Sequence, residues 1–254
     1  IVRETANFLQ AELGKVTSGD IETKSLNSLV SYVDKTAERQ LVAKLSALLP
    51  HSVFLTEEET VAQEAGEYRW IIDPLDGTTN FLHQVPIFAV SVALQQNERT
   101  ILGVIYEVNR AECFYAWKGG GAFLDGNPIR VSLTKTLSES LLATGFPYYD
   151  FKWIDPYLAA FRHFIQNTRG VRRCGAAAVD LAYVAAGRFD GFYEYSLSAW
   201  DMAAGVLIIQ EAGGKVSDFF GGDDYLFGKH IIVGNPFIFA KIRAVIEEKF
   251  SDFE

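Results

Sequence analysis

The sequence predicts a mixed α/β (α+β) fold, and three observations carry that prediction. Trp70-Ile71-Ile72 is a continuous apolar run ending at Asp73-Pro74, the pattern of a short strand covered on both faces. Residues 87–128 read as successive antiparallel strands cut by turn residues. Several longer stretches repeat apolar residues at helical spacing. No linker or low-complexity run interrupts the chain. It reads as one unit over 1–254, with an N-terminal α+β half at 1–146 and a C-terminal α/β half at 147–254.

Taken in order, Val2, Ala6, Leu9 and Leu13 share a helical face over residues 1–13. Residues 15–31 are polar, a mobile loop or weak hairpin. Val33, Ala37, Leu41, Leu45 and Leu48 mark a helix that Pro50 follows. Ser52–Leu55 is a short strand leading into Thr56-Glu57-Glu58-Glu59. Pro74 stops the strand that ends at Asp73, and Gly77 permits a turn into a helix from Thr78 or Thr79. Strands are expected at Ile87–Gln95, Ile101–Val108 and Glu112–Trp117, with a further hairpin between Gly119-Gly120-Gly121 and Asp125-Gly126-Asn127-Pro128. A helix turn and strand follow within Leu137–Phe146. The second half alternates helix Trp153–Asn167, strand Val171–Cys174, Ala-rich helix Ala176–Ala186 and strand Gly191–Tyr195. Ser198 caps a helix from Ala199 to Ala212, closed by Gly213-Gly214. Strands at Lys215–Asp218 and Ile231–Val233 precede a last helix, Pro236–Phe250, with Pro near its start.

Composition narrows the function. Hydrophobic residues make up 49% and charged residues 22% of the 254, an ordinary globular balance. The formal net charge of −9 argues against nucleic acid held by bulk electrostatics. It leaves room for an anionic substrate if bound divalent cations invert the local field. The two cysteines, Cys113 and Cys174, form no C-x-x-C pair, which suits a reducing cytoplasm. No apolar run approaches the roughly 20 residues of a membrane span, and no signal peptide is visible. The chain opens at Ile1 inside an amphipathic helix, so residues missing before it are expected.

The chemistry concentrates around Asp73 and Asp76. Asp73 comes at a strand end, where open α/β sheets place ligands. The following Gly77-Thr78-Thr79 offers hydroxyls and helix-start N–H groups that attract a phosphate. Two carboxylates beside a phosphate cradle repel it and each other, so a cation is wanted between them. Mg²⁺ fits, because it takes carboxylate and carbonyl oxygens, and the Leu75 carbonyl is placed to add one. The same D-x-x-D, taken alone, also describes a solvated acidic turn. Its spacing excludes the D-x-D-x-T of an aspartyl-nucleophile phosphatase and the run of an EF-hand loop, and no P-loop is present. One of Glu57, Glu58 and Glu59 would reach the same acidic mouth if their strand neighbours the one ending at Asp73. Asp201, in a helix's first turn, is either a dipole complement or a third metal carboxylate. Glu194, at a strand end, would accept substrate hydroxyls. Gly175-Ala176-Ala177-Ala178 opens a helix, as close packing or as N–H groups exposed to a ligand. The four histidines lack metal-ligand spacing, and nothing marks a serine or Cys174 as an activated nucleophile.

These residues resemble the inositol monophosphatase family of Mg²⁺-dependent, lithium-sensitive phosphatases. The resemblance rests on Trp70-Ile71-Ile72-Asp73-Pro74-Leu75-Asp76-Gly77-Thr78-Thr79-Asn80-Phe81, then Trp200-Asp201-Met202-Ala203-Ala204-Gly205, then Glu211-Ala212-Gly213-Gly214. It also takes in Thr56-Glu57-Glu58 and Arg173-Cys174-Gly175-Ala176-Ala177, and so nearly the whole chain. It implies a layered αβαβα sandwich, a homodimer, and hydrolysis of a small phosphate monoester with two to three Mg²⁺ ions. It assigns Glu57, Asp73 and the Leu75 carbonyl to one metal and Asp73, Asp76 and Asp201 to a second; a third would share Glu57 through water. Glu58 is the alternative to Glu57, because this chain carries an extra Glu there. Thr78 with Glu57 would orient the attacking water, and Asp76 would also meet the substrate. Gly77 and Thr78 N–H groups would contact phosphate; Gly175, Ala176, Ala177 and Glu194 would contact a sugar alcohol. Lys24 and Asp34 match polar residues of the first loop and the helix after it. Thr79-Asn80-Phe81 looks like the inositol-acting branch, which implies myo-inositol 1-phosphate as substrate. Fructose 1,6-bisphosphate, phosphoadenosine phosphate and NADP are the alternatives, as is a regulatory protein-binding role on the same fold. No nucleic acid or membrane partner is expected.

Overall fold

An amphipathic helix opens the chain because Ala6 and Leu9 repeat on one face: α1 (Val2–Glu12). The structure is a computed structural model that describes residues 1–25, 28–148 and 150–251, the side chains of Lys24, Ser25 and Ser28 excepted. An antiparallel pair follows, β1 (Ile21–Ser25) and β2 (Ser28–Ser31), where the sequence suggested a loop or weak hairpin. Next come α2 (Tyr32–Leu48), β3 (Val53–Thr56), β4 (Tyr68–Asp76) and the short α3 (Thr78–Leu82). A meander continues through β5 (Ala89–Gln96), β6 (Arg99–Glu107), β7 (Glu112–Trp117), β8 (Gly121–Leu124) and β9 (Asn127–Pro128). The later elements are β10 (Leu141–Thr144), α4 (Ile154–Asn167), β11 (Gly170–Arg172), α5 (Ala177–Ala185) and β12 (Gly191–Tyr195). The chain closes with α6 (Ala199–Glu211), β13 (Lys215–Ser217), α7 (Tyr225–Gly228), β14 (His230–Gly234) and α8 (Pro236–Phe250).

Strands β3 to β9 pair in sequence order as one sheet, antiparallel except for the parallel β3–β4 contact. A second sheet has the order β11-β10-β12-β14-β13 and mixes parallel and antiparallel pairs. Each sheet is apolar on both faces, and the two-residue period sorts its side chains into different cores. Trp70 and Ile72 face α1 and α2, whereas Ile71 between them faces α5 and α6. In the second sheet Phe192, Ile231 and Val233 face α5 and α6, while Tyr193 and Ile232 face α4 and α8. Three cores between five layers follow: α1/α2, the large sheet, α5/α6, the small sheet, α4/α8. The fold is the αβαβα sandwich that the resemblance implied.

The middle layer explains why α6 is apolar all round. Met202 through Ile209 are buried, as a helix between two sheets requires. Its approach is close: a Cβ at Gly103 of β6 would sit 2.7 Å from the Ala204 carbonyl oxygen. One local expectation differs. Pairing does not stop at Asp73 but resumes at Asp76 after a register shift, because a bulge tolerates the missing Pro74 N–H. Among the described residues no helix is long and apolar enough to cross a membrane.

Candidate active site

Register arithmetic places the two central carboxylates. Asp73 pairs with Ser91 and Asp76 with Ala89, so three steps on β4 oppose two on β5. In a flat strand, residues three apart point to opposite faces. The extra residue at Pro74-Leu75 brings Asp73 and Asp76 to the same side. Asp73 Oδ1 accepts from the Leu75 N–H at 2.9 Å, a local turn that fixes the carboxylate. Gly77 then adopts φ +92°, a left-handed conformation that glycine takes without strain. A Cβ there would also lie 3.1 Å from the Ile87 carbonyl.

Three other elements converge on this turn. Helix α5 aims its first N–H groups at Asp76: Ala177 donates to Oδ1 at 3.2 Å and Ala178 to Oδ2 at 2.8 Å. These two N–H groups, read from sequence as open to a ligand, are satisfied within the protein. Helix α6 brings Asp201, whose Oδ2 accepts from the Ser198 N–H at 2.7 Å. Ser91, the partner of Asp73, donates to the Trp200 carbonyl at 3.1 Å and so locks the start of α6 beside β4. Helix α2 brings Asp34, which accepts from the Thr78 hydroxyl at 2.9 Å. That hydroxyl also lies 3.1 Å from the Leu75 carbonyl oxygen.

One carboxylate oxygen from each of Asp73, Asp76 and Asp201 lies within 4.8 Å of the others. Asp73 and Asp76 are buried and Asp201 partly so. Among the described residues no Lys or Arg forms an ion pair with any of the three. The consequence appears in their acidities. Burial, then Glu57, Asp76 and Asp201, push Asp73 well above its ordinary value. Burial likewise raises Asp201, with Asp76 adding to it. Asp76 is pushed up to about 7, mainly by burial and against the Ala178 N–H bond. Buried carboxylates that raise one another in this way want a cation. Their donors are all hard oxygens, without nitrogen or sulfur, which fits Mg²⁺ and its relatives. The group can hold a metal ion.

A cavity of about 490 Å³ opens over this floor. Glu57, Leu75, Gly77, Thr78, Gly175, Ala176, Ala177 and Glu194 all line it with the three aspartates. Glu57 is on the wall, while Glu58 is not; its N–H turns to Glu38 instead. Asp34 is buried behind Thr78 rather than on the wall. Lys24 cannot be placed in the same way, since its side chain lies outside the described part. Asn80 ties the floor to the far wall, donating to the carbonyls of Ile87 (2.8 Å) and Cys174 (2.9 Å). Cys174 is a partly buried free thiol pushed upward by burial, and so is poorly suited to act as a nucleophile.

Sequence reasoning missed several wall residues. Asp180 is buried on α5, raised well above its ordinary value by burial, and one carboxylate oxygen has no hydrogen-bond partner. Its signal was an acid within an otherwise apolar Ala-rich helix. Burial and then Asp180 raise Glu194 as well, with Arg173 opposing. Arg173 stacks over Tyr148 at 5.6 Å and Phe146 at 5.8 Å and donates to the Tyr148 hydroxyl at 3.0 Å. Arg173 opens the stretch Arg173-Cys174-Gly175-Ala176-Ala177 that shares in the resemblance, but no role was read for it there.

With this geometry in hand, similarity to known proteins is informative. A family model described as the inositol monophosphatase family matches residues 1–250. The chain is 46% identical over 232 residues to Nus factor SuhB of Pseudomonas aeruginosa, covering 89% of this chain and 86% of that protein. It is 43% identical over 247 residues to inositol-1-monophosphatase of Rhizobium meliloti, covering 97% and 93%. Among solved structures, an IMPase from Thermotoga maritima superposes with TM-score 0.89 at 35% identity, covering 100% of this chain and 96% of that one. The extragenic suppressor protein suhB of Bartonella henselae gives TM-score 0.93 at 41% identity, covering 97% and 95%.

Proposed function

The chain belongs to the inositol monophosphatase family, and from that premise we propose that it hydrolyses a small phosphate monoester, foremost myo-inositol 1-phosphate, to the free alcohol and inorganic phosphate. The observation that carries this reading is the group of three carboxylates, delivered by β4 and α6, within 4.8 Å of one another at the floor of a cavity. Glu57, Asp73, Asp76, Asp201 and the Leu75 carbonyl would hold two to three Mg²⁺ ions. Bound there, Mg²⁺ supplies positive charge for the phosphate oxygens and the leaving alkoxide and acidifies water.

The chain's own groups do the positioning. Thr78 has one hydroxyl proton and two internal acceptors for it, Asp34 and the Leu75 carbonyl. Its oxygen lone pairs are therefore left to accept from the cavity, the polarity that aligns a water by one of that water's protons. Glu57 would hold the same water from the opposite wall. Gly77 and Thr78 N–H groups would meet the phosphate, and Asp76 the substrate beside it. Glu194, with Gly175, Ala176 and Ala177, would face the leaving alcohol and accept its hydroxyls. The reaction breaks the phosphorus–oxygen ester bond and forms one to the water oxygen, with positioning and charge neutralisation as its main requirements. We place the protein in the cytoplasm as a homodimer, in keeping with two free thiols and with the family.

A panel of phosphate monoesters tests the reading. Phosphate release in Mg²⁺, suppressed by Ca²⁺ and by Li⁺, and greatest with inositol 1-phosphate, is expected. Faster release from fructose 1,6-bisphosphate, phosphoadenosine phosphate or NADP would move the substrate assignment. Silence across the panel would favour a second reading, a role through protein contacts. That reading rests on the relatives that carry the name Nus factor SuhB.

A further inference from the structure

Helix α2 meets the site twice from one face. Asp34 and Glu38 are four residues apart, hence neighbours on the same side of the helix. Asp34 holds the Thr78 hydroxyl, as described. Glu38 is fully buried, and its oxygens gather the turn that carries Glu57. Oε1 accepts from the Thr56 hydroxyl at 3.0 Å, the Thr60 N–H at 2.8 Å and the Thr60 hydroxyl at 2.6 Å. Oε2 accepts from the Glu58 N–H at 2.7 Å. These bonds bracket Glu57 on both sides. The turn needs such a hold, because Glu59 sits at φ +49°, a left-handed conformation that strains a non-glycine residue. Strain of this kind persists only where the surroundings over-determine it.

We propose that Glu38 is a positioning residue: it fixes the Thr56–Thr60 turn so that Glu57 faces Asp73 across the cavity, and it thereby sets the affinity for the cation there. The inference rests on the metal reading proposed above. It makes α2 a common brace, with one acid aligning the hydroxyl beside the floor and the next aligning the carboxylate opposite. Glutamine cannot substitute for Glu38. Whichever way its amide turns, the NH₂ meets a backbone N–H, that of Glu58 or that of Thr60.

Isothermal titration of Mg²⁺ into metal-stripped protein tests this directly, without reference to turnover. Four proteins are compared: wild type, Glu38→Gln, Glu57→Gln and the double variant. Loss of an outer partner of a ligand weakens metal binding by about tenfold or more. Glu38→Gln is expected to raise the Mg²⁺ dissociation constant by about that factor, and the double variant to bind no more weakly than Glu57→Gln alone. Wild-type affinity in Glu38→Gln overturns the inference. So does an equal further loss in the Glu57→Gln background, which would mark a general structural defect. If Glu57→Gln itself titrates like wild type, the assignment of Glu57 falls and this inference with it, a result distinct from failure of Glu38 alone. Should Glu38→Gln not fold, Thr60→Val removes one of the four bonds while sparing the helix. It should weaken Mg²⁺ binding by about threefold, again only when Glu57 is present; no change in that variant overturns the inference.

Discussion

The floor and the outer wall of the cavity are built on different terms. On the floor, Asp73, Asp76, Asp201 and Thr78 are each held in a network of backbone N–H groups, carbonyls and a buried acid. Every one of those partners belongs to a strand, a helix start or a turn between them. On the outer wall, Arg173 leans on two aromatic rings and one phenol, and Phe146 is 38% exposed. Asp180 keeps an unpartnered oxygen there. The floor is over-determined, and the wall is held by fewer and softer contacts. The contrast teaches where each part of the proposed reaction resides: bond breaking at the floor, and recognition of the leaving group at the wall. Changes at the floor should remove rate, and changes at the wall should move affinity and substrate preference.

The sharpest break of that contrast would come from Asp201→Asn or Asp73→Asn. Each should lower phosphate release by about 10³-fold while the far-ultraviolet circular dichroism stays native; near wild-type release would dissolve the distinction. Thr78→Val should cost about 10²-fold in kcat with little effect on KM, because it removes the acceptor proposed for the water. On the wall the expected signature reverses. Glu194→Gln should raise KM by about tenfold with kcat largely kept, measured on inositol 1-phosphate. A matched fall in kcat would assign Glu194 to the floor instead. Arg173→Ala should act least, about threefold in KM, and most on a leaving group that carries its own negative charge.

A pH series on metal-stripped protein probes the buried carboxylates of the floor together with Asp180 and Glu194, which burial raises in the same direction. Asp76 rises from an ordinary 3.8 to about 7 in the folded protein, chiefly through burial. Between those values the folded state binds more protons than the unfolded state, so stability falls as pH rises. The unfolding midpoint should therefore drop by about 5 °C between pH 5 and pH 8. Mg²⁺ should restore more of it at pH 8 than at pH 5. A midpoint that rises with pH over this window would contradict the uncompensated floor.

Much of the fold was legible in the residues because local pattern and tertiary context agree. The stripe at Val33, Ala37, Leu41 and Leu45 becomes α2, and the apolar run at Trp70 becomes the doubly covered β4. The three aspartates were legible too, since Asp73 and Asp76 flank a Pro-bearing turn after an apolar run and Asp201 stands in a helix's first turn. The continuation of β4 past Pro74 was not, because a bulge follows from what the partner strand does, not from the sequence around it. Asp180 and Glu38 were hidden for a related reason. An acid in a helix reads as a solvated face, and only packing shows that Glu38 is turned inward. The fate of the Ala177 and Ala178 N–H groups was equally remote, since their acceptor lies about a hundred positions earlier, at Asp76.

The single extra residue in β4 keeps two carboxylates three apart on one side and makes room for a turn between them. Between Asp73 and Asp76 the count of residues matters more than their identity. Replacing Pro74 or Leu75 by another residue that fits the bulge preserves the side to which Asp76 points. Deleting either one restores a plain two-for-two ladder with β5; Asp76 then still points to the side of Asp73, but the bulge and the turn that the Leu75 N–H closes on Asp73 Oδ1 are lost. A frame of this kind tolerates spelling changes and rejects changes of length, so natural variation in this turn should consist of substitutions without gaps.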